Sequence, residues 1–471
     1  MNIKYNLFIV LVLQALFLAC KTTDKALHTE AVVPDNFRNA EKSQPDSSSI
    51  AQIEWREFFS DPTLQQLIDT AIVHNVDMQL AIKNIEAAQL TLRQAKAGYL
   101  PNIDLQVIAN TSRPSDNSLN GLSLNQFLGS KHIEDYTAAL ALSWEADIWG
   151  KIKNQKAAAL ASYLQTEEAR KAVQTQIVSY VAQGYYNLLM LHEQLNIANQ
   201  NLNLNDSTLN IIREQYEVGE ITLLGLEQAE AQRLAAASLI PDFEQQINIQ
   251  ENAISILSGK LPEAIATSST LTKMEIPQHL TVGVPSLLLS RRPDVKSAEL
   301  AVLAAGANKQ YARASMYPSL TISAQAGVNS FRSSNWFNIP ASLFGTVAGG
   351  ITQPILQRRQ LKTNYELAII DQEKTVIQFK QSVLTAVGEV SDALVALDKL
   401  NEKQLIAYNR TNKLQNAIHN ADLLFETGLA NYLEVITAQS NVLQSELELA
   451  QIKKAQLTAM VDLYRSLGGG W

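Results

Sequence analysis

Residues 291–327, RRPDVKSAELAVLAAGANKQYARASMYPSLTISAQAG, contain a change of hydrophobic period that decides the fold. Apolar side chains in the first part recur at helical spacing, and Pro293 suits a first helical turn, where no backbone donor is needed. After Tyr317 and Pro318 the period becomes two, and apolar residues alternate with small polar ones. The stretch therefore predicts a helix that passes into an amphipathic strand.

The same order of elements is found earlier in the chain. Residues 61–99 have a helical pattern, which ends at Tyr99, Leu100 and Pro101 before an alternating segment begins. Internal similarity of this kind points to repeated structural units. Four strands are predicted, at residues 101–110, 136–146, 319–329 and 341–352.

Each pair of predicted strands is followed by a long helical region that turns at a glycine and returns. Gly219 marks the first turn and Gly428 the second, in the similar contexts YEVG and FETG. Apolar residues in the second region advance by about 3.5 positions, which is the coiled-coil period. The chain therefore predicts two tandem repeats, each of helix, strand, strand and long helical hairpin.

The N-terminus has the pattern of a secretory signal. Lys4 is followed by an apolar run that is too short to span a bilayer and that ends at Cys20. Such an ending resembles a bacterial lipoprotein signal, with Cys20 lipidated; a plain signal peptide with a chance cysteine is the alternative. The predicted parts are a signal peptide at 1–19, a lipid anchor and tether at 20–54, a first repeat at 55–259 with its hairpin at 152–257, a linker at 260–285, and a second repeat at 286–471 with its hairpin at 361–467.

Composition argues against several classes of function. A net charge of −8 disfavours nucleic acid as a partner, which calls for a basic face. Cys20 is the only cysteine, which excludes disulfides and cysteine metal sites, and the histidines are scattered without metal-ligand spacing. The sequence contains neither a glycine-rich phosphate loop nor a nucleophile elbow. We therefore predict no enzyme activity, no cofactor and no metal site.

The predicted strands point to a membrane sheet. Each strand has one apolar side, and its opposite side carries Ser, Thr, Ala, Gly and Gln. A soluble core could cover the apolar sides, but Tyr99, Trp144, Trp149 and Tyr317 lie together at the helix ends of the strands, like the aromatic girdle of an outer-membrane barrel. Sheet edges are not tolerated in lipid, and the smallest barrels have about eight strands. Two or three chains would have to complete the barrel, and only the larger assembly leaves much lumen.

The chain resembles the TolC-like outer-membrane efflux proteins, in particular the lipoprotein (NodT-type) branch that is paired with resistance–nodulation–division pumps. The similarity extends from about residue 55 to the C-terminus. It rests on five motifs, namely Arg291-Arg292-Pro293-Asp294 with Ala298-Glu299, Tyr317-Pro318-Ser319-Leu320, Asp147-Ile148-Trp149-Gly150, Gly428 through Asn431-Tyr432-Leu433 to Ala438-Gln439, and Leu467-Gly468-Gly469-Gly470-Trp471.

The resemblance implies a mainly α-helical fold with a membrane β-barrel. Three chains would form a 12-stranded barrel on a long coiled-coil tunnel, located in the outer membrane, anchored by lipid and extending into the periplasm. The expected partners are a second and third copy of the chain, a periplasmic adaptor protein, an inner-membrane resistance–nodulation–division transporter and outer-membrane lipid. The implied function is passive export from the pump across the periplasm and outer membrane. The alternatives are an exit duct of a type I protein secretion system and a soluble coiled-coil scaffold.

The resemblance also suggests where the tunnel is closed and where the adaptor binds. The hairpin turns would meet the adaptor at Gly219, Glu220, Gly428 and Leu429. The positions of a charged latch in TolC-type proteins are Ala430 and Gly225 here, so that latch is absent. The alternative interpretation is that Tyr432 and Leu433 belong to the coiled-coil core and that Glu434 lies on a solvated face. The gate candidates are Phe425, Asn431, Tyr432, Leu433, Glu434 and Thr437.

Overall fold

The structure is a computed structural model that describes residue 34, residues 37–38, residues 49–275 and residues 282–471. The predicted signal peptide, Cys20 and residues 20–33 of the tether lie outside the described residues, as do most of residues 35–48 and linker residues 276–281. The described part of the chain is mainly helical, with one small antiparallel sheet.

The helices and strands alternate in two similar series. The helices are α1 (Trp55–Phe58), α2 (Pro62–His74), α3 (Val76–Ala97), α4 (Leu119–Leu128), α5 (Lys151–Glu217), α6 (Leu223–Leu257), α7 (Leu288–Arg291), α8 (Pro293–Ala314), α9 (Gln360–Glu426) and α10 (Tyr432–Ser466). The strands are β1 (Asn102–Ser112), β2 (Ile133–Ala146), β3 (Ser319–Ser330) and β4 (Leu343–Thr352).

The four strands form one sheet in the order β1-β2-β3-β4, with every neighbouring pair antiparallel. One row across the sheet is Leu105, Leu140, Ala326 and Gly345. The strands begin and end within three residues of their predicted bounds, since β2 starts at Ile133 rather than 136. The period-two pattern therefore located all four strands.

Two long helical hairpins extend from the sheet. Hairpin 1 consists of α5, with 67 residues, and α6, with 35; hairpin 2 consists of α9 and α10, with the same two lengths. At 1.5 Å per residue the longer helix of each is about 100 Å long. The first hairpin continues through Pro241 without a break in α6. Within the described ranges, no helix combines the length and apolar character needed to cross a membrane.

Two sequence expectations need correction. The helical pattern of residues 61–99 is interrupted at Asn75, whose side chain caps α3 by accepting from Asp77 and Met78 and donates to the Leu257 carbonyl at 2.9 Å. The sequence predicts no helix between the strands at 101–110 and 136–146, but the structure has α4 there. There the Ser118 hydroxyl accepts from the Gly121 backbone N–H at 3.1 Å, which satisfies a donor at the start of the helix.

Asp61, near the start of the described chain, joins three separate segments. It caps α2 by accepting from Thr63 and Leu64, and it also accepts from the hydroxyls of Tyr185 in α5 and Ser268 in the linker, each at 3.1 Å. Burial alone would raise the pKa of Asp61, but these hydrogen bonds and one from Ser269 lower it below its ordinary value. The carboxylate therefore stays ionised and holds the linker against α5.

Arg292 joins the base of hairpin 2 to the start of α8. Its buried guanidinium donates to Asp294 at 2.6 and 2.9 Å, to Glu389 of α9 at 2.7 Å and to the Ser466 carbonyl at 3.2 Å. The C-terminal glycines pack closely beside it: a Cβ at Gly468 would lie 2.8 Å from the Arg291 carbonyl oxygen, and one at Gly469 would lie 2.4 Å from the Tyr464 ring. The Arg292 cluster therefore connects both helices of hairpin 2 to the helix that enters β3.

We expect Arg292→Ala to lower the stability of the protein by about 3 kcal/mol, because it leaves two carboxylates and a carbonyl without their buried donor. Thermal unfolding followed by intrinsic fluorescence in detergent measures the effect. Arg213→Ala is the matched control, since Arg213 forms an exposed pair with Glu230 at 3.3 Å and should cost at most about 1 kcal/mol. Equal melting temperatures for the two variants would contradict the structural role of Arg292.

Candidate functional site: the sheet edges and the hairpin tips

The two outer strands leave the sheet open. In the described chain β1 pairs only with β2, and β4 pairs only with β3. Side chains along both edges are apolar and exposed, including Leu105 and Val107 on β1 and Val347 and Ile351 on β4. The sheet therefore presents two rows of unpaired backbone groups beside an apolar surface, an arrangement that invites further strand pairing.

The predicted aromatic residues lie together at one end of the sheet. The indole of Trp144 donates to the Tyr99 carbonyl at 2.9 Å, and that of Trp149 donates to the Pro318 carbonyl at 2.7 Å. Trp149 also stacks on Tyr317, with 5.0 Å between ring centroids. These contacts fix the aromatic rings where the strands meet the helices, with both indole N–H groups satisfied by backbone carbonyls.

Both hairpins turn by the same backbone device. Gly219 and Gly428 adopt positive φ values of 85° and 75°, a conformation that glycine reaches without steric cost. In each turn the glycine N–H and the next N–H bond back to the preceding helix, as from Glu220 to the Gln215 carbonyl and from Leu429 to the Leu424 carbonyl, both at 2.8 Å. Tip 1 (residues 218–222) and tip 2 (residues 427–431) are therefore well-formed turns with exposed ends.

The gate candidates at tip 2 occupy different environments. Phe425 is buried against α5, α6 and α10, with Leu209, Ile212, Ala229 and Val435. Asn431 is exposed, but its side-chain oxygen caps α10 by accepting from Leu433 and Glu434. Leu433, Glu434 and Thr437 are exposed on the first turns of α10. The structure thus brings the last three together on one surface and places Phe425 in the packing between the two hairpins.

Tyr432 contacts the position where sequence similarity would place half of a latch. Its ring covers Gly225 so closely that a Cβ there would lie 3.1 Å from the ring, and its hydroxyl donates to Gln228 at 2.8 Å. Gln439, two helix turns further along α10, donates to the Thr208 hydroxyl at 2.7 Å while fully buried. These contacts between α10 and hairpin 1 are not visible in the sequence, because only the fold brings the helices together.

The region around the tips is acidic. Burial, followed by the nearby Glu426 carboxylate, raises the pKa of Asp422 above its ordinary value, with His419 opposing the shift. In the described ranges, no three His, Cys, Asp or Glu side chains come close enough to hold a metal ion. The acidic residues nearest the two turns are Glu214, Glu217, Glu220, Asp422, Glu426 and Glu434.

Comparison with known proteins identifies similar chains. The family described as outer membrane efflux protein matches residues 67–260 and 284–469. The cation efflux system protein CusC of Escherichia coli O6:H1 is 30% identical over 421 residues, covering 88% of each chain. The probable outer membrane lipoprotein SilC of Salmonella typhimurium is 29% identical over 445 residues, covering 94% of this chain and 93% of SilC. A crystal structure of a membrane protein from Pseudomonas aeruginosa has a TM-score of 0.82 at 27% identity, covering 93% of this chain and all of that one.

We expect Gly428→Ala to destabilise tip 2 by about 1 kcal/mol, because alanine pays a steric cost at positive φ although its methyl group would meet nothing within 4 Å. Limited proteolysis should show faster cleavage near residue 428. Gly388→Ala is the matched control, since Gly388 lies inside α9 with equally open space, and there alanine should stabilise the helix by about 1 kcal/mol. Cleavage at an unchanged rate in Gly428→Ala would show that the turn does not depend on positive φ.

Proposed function

Because the chain belongs to the outer membrane efflux protein family, we propose that it forms the outer-membrane channel of a tripartite efflux system. The observation that carries the proposal is a four-stranded sheet with two open apolar edges. Two helical hairpins extend from this sheet, and the first helix of each has 67 residues. The channel gives passive passage from an inner-membrane pump across the periplasm and the outer membrane, and it performs no chemical step.

The assembly we propose is a homotrimer. Backbone groups at a sheet edge cost several kcal/mol each if left unpaired in hydrocarbon, so β1 of one copy pairs with β4 of the next. Two copies would give a barrel of eight strands, and side chains would fill its interior. Three copies would give twelve strands and leave a lumen. The apolar face of β1, including Leu105 and Val107, would then contact lipid.

The helical part of the proposed channel crosses the periplasm. We infer that the chain is two tandem repeats, since both hairpins pair a 67-residue helix with a 35-residue helix and turn at a left-handed glycine. Three copies would supply six hairpins around one axis. At roughly 1.5 Å per residue, each wall would be about 100 Å long, comparable with several membrane thicknesses.

The tips would meet the periplasmic adaptor protein that connects the channel to a resistance–nodulation–division transporter. Glu220 and Leu429 are exposed at the ends of the two turns, with acidic side chains around them. We infer that the adaptor presents polar and basic groups to these tips. We also infer that the mature N-terminus is Cys20, lipidated and followed by a tether, which anchors each copy in the outer membrane.

We further infer that the tunnel is closed by the first turns of α10. Leu433, Glu434 and Thr437 are exposed there, and three copies would place them around the axis. Leu433 supplies apolar packing, while three Glu434 carboxylates repel one another and attract cations to the mouth. Tyr432 and Phe425 would support this closure without facing the axis, because they pack α10 on hairpin 1.

Photo-crosslinking tests the contact with the adaptor. A photoreactive amino acid at Glu220 or Leu429 should give crosslinks to the adaptor, because both side chains lie exposed at the tips. The control sites are Asn117 and Ser333, which lie at the opposite end of the sheet from the hairpins. Adaptor crosslinks from the control sites alone would contradict the proposed orientation.

Conductance in planar bilayers tests the gate. Glu434→Gln should weaken the preference for cations, and Leu433→Ala should raise the resting conductance by opening the apolar seal. Glu227→Gln removes the same charge from an exposed position on α6 and should leave selectivity unchanged. If Glu434→Gln and Leu433→Ala both behave like the unmodified protein, the constriction lies elsewhere.

A further inference from the structure

Five cations without ion-pair partners lie where the helices meet the sheet. In the part of the chain that the structure describes, Arg93, Lys96, Lys153, Lys156 and Arg358 make no salt bridge. All are exposed except Lys156, which is partly buried. Other cations at the same level are paired, as Lys151 is with Glu145 at 3.0 Å. We call these five unpaired cations the basic collar; they contrast with the net charge of −8 of the whole chain.

The topology places the basic collar at one level. Because the strands are antiparallel, the start of β1, the end of β2, the start of β3 and the end of β4 lie at the same end of the sheet, where the helices join it. Each collar residue lies within ten positions of one of these strand ends. At the helical rise this is at most about 15 Å from the sheet, or less than two screening lengths at physiological salt.

Exposed apolar side chains lie between the strand ends and the basic collar. Leu100 is 67% exposed, Ile355 is 86% exposed and Leu356 is 93% exposed. The aromatic rings of Trp149 and Tyr317 stack at the same level. From the sheet outward the order is therefore apolar strand, aromatic and aliphatic side chains, and then cations. This order matches the passage from hydrocarbon through the interface to phospholipid phosphates.

One junction keeps arginine where glycine would be unstrained. Gly150, just before α5, has a φ of 72°, and the matching corner before α9 has Arg358 and Arg359 at φ values of 47° and 65°. Left-handed backbone is unfavourable for a residue with a Cβ. Arg359 is paired with Glu366 at 3.3 Å, but Arg358 forms no salt bridge among the described residues. A strained position that retains a free cation indicates a use for the charge.

From these observations we propose that the basic collar binds the phosphate groups of anionic phospholipids in the periplasmic leaflet of the outer membrane. The inference rests on the proposed membrane position of the sheet. Lipid is favoured over a soluble anion because Ile355 and Leu356 are exposed beside the cations and would contact acyl chains. Each cation held near an anionic lipid surface favours binding roughly fivefold.

Native mass spectrometry of the protein from nanodiscs of phosphatidylethanolamine and phosphatidylglycerol tests the proposal. The protein should retain phosphatidylglycerol in excess over its share of the bilayer. The triple variant Lys96→Gln, Lys153→Gln and Arg358→Gln should lower this enrichment at least roughly fivefold. The matched control is Lys374→Gln, Lys380→Gln and Lys413→Gln on α9, which removes the same charge from exposed positions and should leave the enrichment unchanged.

Equal phosphatidylglycerol enrichment in the two triple variants, or none in the unmodified protein, would overturn the proposal. Displacement of the retained lipid by inorganic phosphate at equal concentration would show a site for free anions and would overturn the lipid assignment. Single-channel conductance of the same samples separates this inference from the proposed function. Loss of phosphatidylglycerol enrichment with normal conductance in the collar variant supports the proposal. Normal conductance without phosphatidylglycerol enrichment in any sample would refute lipid binding by the basic collar and would leave the proposed channel function unaffected.

Discussion

Hydrogen bonding at the sheet edges is the constraint on which the rest of the structure depends. A membrane offers no water to the backbone groups of β1 and β4, so an isolated four-stranded sheet is not a stable membrane element. In the proposed trimer, pairing of β1 with β4 of the next copy would remove both edges at once, and exposed apolar side chains such as Leu105 and Val347 would face lipid. Closing the sheet in this way would also bring the hairpins of the copies around a common axis, so that one interaction would account for both the proposed pore and the proposed tunnel.

Two buried charged groups connect the helices partway along the hairpins, away from the sheet. Arg292 holds Asp294, Glu389 and the end of α10 together, and Asp61 holds the linker against α5. Breaking such a group by removing one partner is costly, because a buried charge remains uncompensated. The tips differ, since their exposed turns are fixed mainly by Gly219, Gly428 and the cap at Asn431. The hairpins are therefore firmly connected partway along their length and have fewer buried contacts at their tips, where the proposed gate would move.

The sequence predicted the elements well because each is long or strongly periodic. The change of period at Tyr317 and Pro318 located β3, and the resemblance to outer-membrane efflux proteins is confirmed by the family match. The break at Asn75 was missed because the apolar spacing continues across it, and the hydrogen bond to Leu257 depends on the fold. Helix α4 was missed because its Ser, Asn and Gly content is typical of loops. Phe425 and the Tyr432–Gly225 contact could not be placed, since one chain position says nothing about which helix lies opposite.

Cysteine crosslinking between β1 and β4 tests the central claim most directly. One cysteine replaces Gln106 on β1, and a second replaces Thr346 or Ala348 on β4, so that neighbouring registers are sampled. The two strands lie at opposite edges of the sheet within one chain, so a disulfide between them has to join two copies. The account predicts oxidised products of two and three chains on a denaturing gel, with the series ending at three. Products of one chain only, or a series that continues beyond three, would contradict a closed sheet of twelve strands.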